Sequence, residues 1–149
     1  MDVKRQTRKI RLDSMHTAIK YQLITELVFL RKMPLLDNDV TYLAYLAQWG
    51  PIPLKDFCSK VVINIFGEDI ATDVDRHPVR VQTVRNRLGA LEKKGLVIKE
   101  GKGKKVIRIS PSIPMVTKGS VLLEYNFLYI ETQTDKRPVA EVSQGVGTI

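Results

Sequence analysis

The sequence predicts a mainly α protein with a small β part: a three-helix core followed by a basic β-hairpin, with one extra N-terminal helix and one C-terminal strand. Three observations predict it. Apolar residues recur at helical spacing in successive stretches, glycines stand where those stretches stop, and a glycine-lysine turn separates two β-branched runs. With 149 residues, 44% of them apolar, the chain has material for one core and too little for two comfortable ones.

The most informative stretch runs from Arg80 to Arg108. Val81, Val84, Leu88 and Leu91 give an amphipathic helix its inward stripe, and Gly95 supplies the left-handed residue that ends it. Leu96, Val97 and Ile98 then read as a strand, Gly101-Lys102-Gly103 as a turn, and Val106 to Ile109 as the returning strand before Pro111. Ten Lys and Arg residues in this stretch oppose only Glu92 and Glu100, a net charge of +8 that equals that of the whole chain. Such a field attracts polyanions and lets cations replace counterions along a phosphate backbone. A solvated charged face is the other reading.

Ahead of it, residues 1–12 carry Lys4, Arg5, Arg8, Lys9 and Arg11 against Asp2 and read as a basic arm that meets nucleic acid or an acidic partner, or is simply solvated. Asp13 or Ser14 can cap a long helix running to about Arg31. Around Leu23, Ile24, Leu27, Val28, Phe29 and Leu30 its apolar residues occupy more than one face, so the helix is expected to pack on two sides, within its own domain or against a neighbouring subunit. Val28 and Phe29 are therefore candidate assembly contacts, and His16 reads as an ordinary surface residue.

Leu36-Asp37-Asn38-Asp39 opens the first core helix with acids where the helix dipole favours them, and Val40, Leu43, Ala44 and Ala47 run inward up to Gly50 and Pro51. Tyr45 and Trp49 face core or partner. Leu54, Phe57, Cys58, Val61, Val62 and Ile65 make the second core helix, which Gly67 stops. Glu68 to Pro78 is longer than the usual three or four residues of a helix-turn-helix connection, and its acids Glu68, Asp69, Asp73 and Asp75 would meet phosphates unfavourably. Those acids lack the spacing of a calcium loop, and His77 reads as a loop residue.

The helical domain is thus expected over 13–111, a linker and C-terminal strand over 112–131, and a polar tail over 132–149. The strand, Val121 to Ile130, is apolar on both faces and needs company, from the hairpin's sheet or from another subunit; Leu123, Tyr125, Phe127 and Tyr129 are its candidate assembly contacts.

Several classes of chemistry find no support. Cys58 is the single cysteine, so no internal disulfide forms, and its place on an apolar face suggests a small buried hydrophobe. No apolar run approaches the roughly 18 residues of a membrane span, and the N-terminus lacks the apolar core of a secretion signal. Phosphate-binding glycine loop, zinc cysteine cluster, HExxH helix and GxSxG elbow are all missing, so no enzyme, metal or cofactor is expected.

The run Gln82-Thr83-Val84-Arg85-Asn86-Arg87-Leu88 through Leu91-Glu92-Lys93-Lys94-Gly95-Leu96-Val97 resembles the third helix and first wing strand of winged helix-turn-helix proteins, and Leu36 to Pro111 follows that family's order. In the family a Ser or Thr usually caps this helix where the present chain has Arg80. The resemblance implies a third helix in the DNA major groove and a wing against the backbone. A helical wheel puts Gln82, Thr83, Asn86, Ala90 and Lys93 opposite the core, with Arg85 and Arg87 on the flanks; Gln82 and Asn86 suit adenine, and Arg85 guanine or phosphate. With Arg80 and the wing lysines Lys102, Lys104 and Lys105, these form the candidate nucleic-acid set.

Phe29-Leu30-Arg31, Leu35-Leu36-Asp37-Asn38, the Val84-Arg85-Asn86 helix, the glycine-lysine wing and the closing Leu123 to Glu131 strand together resemble small winged-helix proteins of tailed, crass-like bacteriophages. That resemblance implies a virion component, a ring near the portal or tail, with homo-oligomer and virion neighbours as partners and no membrane. Two functions follow: a structural subunit of an assembly, placed in the virion, or a sequence-specific DNA-binding regulator, placed in the cytoplasm.

Overall fold

The computed structural model describes residues 2–67 and 78–131. The acidic loop and His77 on one side, and the polar tail on the other, lie outside the described residues. The chain divides into two compact units: Leu12–Val121, and the paired ends Met1–Arg11 with Leu122–Ile149. It is mainly α with a small antiparallel β part, and no helix among the described residues is long and apolar enough to cross a membrane.

In the larger unit, α1 (Met15–Leu23) begins where the Ser14 side chain accepts a hydrogen bond from the Thr17 amide, and continues as a π-helical turn over Ile24–Leu30. That turn changes which residues face inward. An α-helical count from Ile19 and Leu23 would bury Leu30, but each i→i+5 bond, such as Arg31 N–H to Glu26 C=O, adds a residue to the turn, and Leu30 emerges 68% exposed. Phe29 is exposed with it, while Ala18, Ile19, Leu23 and Leu27 are buried.

The remaining helices are α2 (Asp37–Trp49), α3 (Leu54–Phe66) and α4 (Pro78–Lys93). Between α2 and α3 lies β2 (Ile52–Pro53); after α4 comes the hairpin of β3 (Val97–Glu100) and β4 (Val106–Ile109). The three strands form one antiparallel sheet in the order β2-β4-β3, with Ile52 opposite Ile107 and Val97 opposite Ile109. Gly95 at φ 79° lets the chain leave α4, with the Leu96 amide closing back on the Leu91 carbonyl; Gly101, Gly103 and Lys104 take positive φ angles in the hairpin turn.

The core follows most of the expected stripes, with Ala47, Leu54 and Val81 only half-buried and Tyr42 and Leu46 buried beyond the stripe expected of α2. Val40, Leu43, Ala44 and Leu46 of α2, Phe57, Cys58, Val61 and Val62 of α3, and Val84, Leu88 and Leu91 of α4 are buried together with Ile19, Leu23 and Leu27, and Leu96, Val97 and Ile107 close the sheet side. Burial raises the Cys58 thiol pKa, as expected of an inert internal cysteine. Ile65 departs from its stripe: one residue from the end of α3, it is exposed.

Two sequence expectations need correction. The segment after the hairpin is anchored and is no free linker: Ile113 is buried, Arg31 donates to the Ser112 carbonyl, and the Gln22 side chain both donates to and accepts from the Val116 backbone. The basic arm is β1 (Val3–Leu12), paired with β5 (Val121–Ile130) in a separate two-stranded sheet. An arm poor in apolar residues is ordered here by backbone hydrogen bonding to a partner strand, which side-chain composition does not register.

Leu88 packs at the centre of the helical core, 1% exposed. Leu88→Asp is expected to cost about 4 kcal/mol or more, since an unpaired carboxylate would replace apolar contacts. Thermal denaturation checks it: an unchanged cooperative melt would show that this side chain does not hold the core together.

Candidate nucleic-acid interface and assembly surface

Helix α4 inserts Val84, Leu88 and Leu91 into the core, so its opposite face must point outward. Gln82, Thr83, Asn86 and Lys93 are exposed there, while Ala90, on the same side of the helical wheel, is half-buried. The Gln82 amide donates to the Asn86 side-chain oxygen at 2.8 Å, one helical turn apart, so the two groups suited to adenine are held by each other. Arg85 is half-buried on the flank.

Arg87, on the other flank, is drawn inward. Its guanidinium donates to both carboxylate oxygens of Asp39, at 2.9 and 2.7 Å, and the Asp39 carboxylate also accepts the Leu36 amide at 3.0 Å. Asp39 is completely buried. Burial alone would raise the pKa of its carboxyl, but the Arg87 guanidinium and the Leu36 amide outweigh that and lower it. The same pair raises Arg87 further above its already high value. The sequence reading of Arg87 as an open flank residue is therefore corrected: it ties α4 to the N-terminus of α2.

Arg80 is also engaged internally. The helix begins at Pro78, which places Arg80 inside α4 as its third residue and not at the N-cap, and its guanidinium lies over the Phe66 ring at 3.8 Å from the ring centroid. Three more cations have partners within the larger unit: Lys94 donates to the Pro34 carbonyl, Lys99 faces Glu92 at 3.9 Å, and Arg108 meets Glu100 at 3.0 Å. What remains outward is Lys93 together with Lys102, Lys104 and Lys105 of the hairpin turn, all exposed. These lysines supply point charges without planar forks, a set suited to phosphate oxygens more than to base edges.

His16 is no bare surface residue: it is half-buried, its ring 4.5 Å from that of Tyr45, which stacks in turn on Trp49. Burial, with Lys20 nearby, lowers the pKa of its imidazole. Trp49 reaches Phe57 edge-on, so this row continues into the core. Among the described residues no group of His, Cys, Asp and Glu could hold a metal ion.

The candidate assembly residues fall into two places. Val28 is half-buried and Phe29 exposed on the π-helical turn of the larger unit. Leu123, Tyr125, Phe127 and Tyr129 lie on β5 in the ribbon, where Tyr125 and Phe127 meet edge to face. Lys4 pairs with Glu131 and Thr7 donates to Asn126, so successive residues of β1 meet earlier residues of β5 and the strands run antiparallel. The same contacts sort the two faces. The aromatic residues of β5 share theirs with Lys4, Arg8 and Ile10, whereas Leu122, Leu128 and Ile130 share the other with Arg5, Lys9 and Arg11. Leu122, Leu128 and Ile130 are 60%, 61% and 51% exposed.

Sequence reasoning missed Asp39, whose only visible role was as an acid at a helix start. Its sole local signal was its position as third residue of α2, where a carboxylate can fold back on the Leu36 amide. A scan against family models and searches of curated proteins and of solved structures gave no match to this chain.

Arg87→Ala would leave a buried carboxylate without its counter-ion and is expected to cost about 3 to 5 kcal/mol in thermal or urea denaturation. Lys104→Ala should stay within about 0.5 kcal/mol of the unaltered chain. Because the folded pKa of Asp39 lies below its ordinary value of 3.8, its ionisation contributes stability that is fully present above that value and lost as pH falls through the folded one. Melts of the Asp39→Asn variant should therefore lack that part of the acid-side decline; an identical decline would assign it to other groups.

Proposed function

We propose that the chain is a non-enzymatic structural subunit of a larger assembly, built on a winged helix-turn-helix body. In this reading α2, α3 and α4 are the trihelical core, with β2 between the first two helices, and the β3–β4 hairpin is the wing. The observation that carries the assembly role is the β1–β5 ribbon, whose second strand has large apolar residues exposed on both faces. Two-stranded ribbons are marginal on their own, and apolar surface of this kind is normally covered by another protein.

The basic tip gives such a subunit a surface that can rest against nucleic acid without reading sequence. Lys93, Lys102, Lys104 and Lys105 are exposed, while Arg80 and Arg87 are turned inward and Arg85, the fork suited to guanine, is half-buried. The resemblance to small proteins of tailed phages extends this to a virion ring near the portal or tail, where a basic surface would face packaged DNA.

A sequence-reading regulator is the second reading, favoured by the exposed Gln82 and Asn86 on the outer face of α4. Titrations with duplexes of unrelated sequence separate the two. The assembly reading expects equal affinity for all sequences, falling with salt, and Lys104→Ala lowering the salt slope by about one. One preferred duplex whose preference Asn86→Ala relaxes by about 1 to 3 kcal/mol, from a protein that stays monomeric in native mass measurements, would replace the assembly reading with the regulator.

A further inference from the structure

The two strands of the ribbon are built differently. β1 carries cations on both faces, at Lys4, Arg5, Arg8, Lys9 and Arg11, the kind of charge that protects an edge strand from further pairing. β5, VLLEYNFLYI, carries apolar residues on both faces, the pattern of a strand with neighbours on both sides. Yet among the described residues the sheet ends there: β5 is paired with β1 alone, and its other edge has no strand. The strand with the character of a central one thus stands at an edge.

Its sequence is also complementary to itself in one antiparallel register. With Tyr125 facing its own copy, Leu123 falls opposite the partner's Phe127, Leu122 opposite the partner's Leu128, and Glu124 opposite the partner's Asn126. Every apolar residue from Val121 to Tyr129 then meets an apolar one, and the two polar residues meet each other. A shift by one pair would set Glu124 against Leu128.

Charge favours the same arrangement. Five cations lie on β1 and none on β5. Pairing two copies along β5 puts the two basic strands at the outer edges of a four-stranded sheet, roughly 14 Å apart at the usual strand spacing. That exceeds the screening length of about 8 Å in physiological salt. Face-to-face stacking of ribbons would bring the cations together.

We infer that β5 is a homotypic docking strand: two copies of this chain join antiparallel along the edge of β5 that no strand among the described residues occupies, centred on Tyr125, into one sheet ordered β1-β5-β5-β1. The inference rests on the assembly reading and specifies its first contact. Such a contact is symmetric and closes on itself, so it makes pairs; larger rings need a second surface.

Cysteine cross-linking of the full chain tests the register. Directly opposed residues of an antiparallel pair lie within disulfide reach, so Tyr125→Cys should give covalent dimer as its main product under mild oxidation. Leu128→Cys should give only a trace, because residue 128 faces residue 122 of the partner. The unaltered chain, whose Cys58 is buried, should give none. Leu128→Lys should lose the dimer in native mass measurements while keeping the helical melt.

Equal cross-linking through both cysteine variants would overturn the register. A complex insensitive to Leu128→Lys and not cross-linked by Tyr125→Cys would overturn the docking strand and leave the assembly reading standing on another surface. A chain that stays monomeric and uncross-linked at high concentration would overturn the homotypic contact, and the assembly reading would then require a different protein as partner.

Discussion

The contact between Asp39 and Arg87 is the constraint on which the helical body depends. A carboxylate with no exposed surface is tolerable only when its charge is matched and its oxygens are hydrogen-bonded, and here a bidentate guanidinium and a backbone amide supply both. The residues stand 48 apart in sequence, so the pair fixes the start of α2 against the middle of α4. Apolar packing of Val84, Leu88 and Leu91 can be satisfied over a range of small rotations of α4; a two-pronged ion pair is far less forgiving of angle. The apolar stripe decides which face of α4 points outward, and the pair narrows the angle at which Gln82, Asn86 and Lys93 stand on it.

That constraint also divides the basic charge into two populations. Arg80, Arg87, Lys94, Lys99 and Arg108 are engaged by Phe66, Asp39, the Pro34 carbonyl, Glu92 and Glu100, so much of the +8 carried by this stretch serves the body itself. The exposed lysines stand at the hairpin turn and at the end of α4, and Arg85 is half-buried. Lysines attract phosphate as point charges and discriminate bases poorly, which is why the distribution of charge bears on function more than its total.

The apolar stripes of α2, α3 and α4 were legible because burial imposes a helical period on side chains and glycine marks where the period stops. The hairpin was legible because two β-branched runs flank Gly101-Lys102-Gly103. Three features were not. Leu30 lies outward because a π-helical turn breaks the α count, and local sequence carries no signal for that turn. Val3–Leu12 forms a strand through a partner more than a hundred residues away, using backbone groups that every residue has. At the candidate site, the outward row of α4 was readable from the wheel, but the inward turn of Arg87 depended on a carboxylate on another helix.

Arg87 belongs to the body, and in the proposed function it is the exposed lysines that meet nucleic acid; a paired substitution tests this division directly. The Asp39→Asn, Arg87→Met double variant removes both charges together and avoids stranding either one. Binding of this variant to a short duplex, measured across a range of salt concentrations, should match the unaltered chain in affinity and salt slope. A loss of affinity with a slope reduced by about one, as for removal of a phosphate-contacting lysine, would place Arg87 on the nucleic acid and contradict the structural role assigned to it.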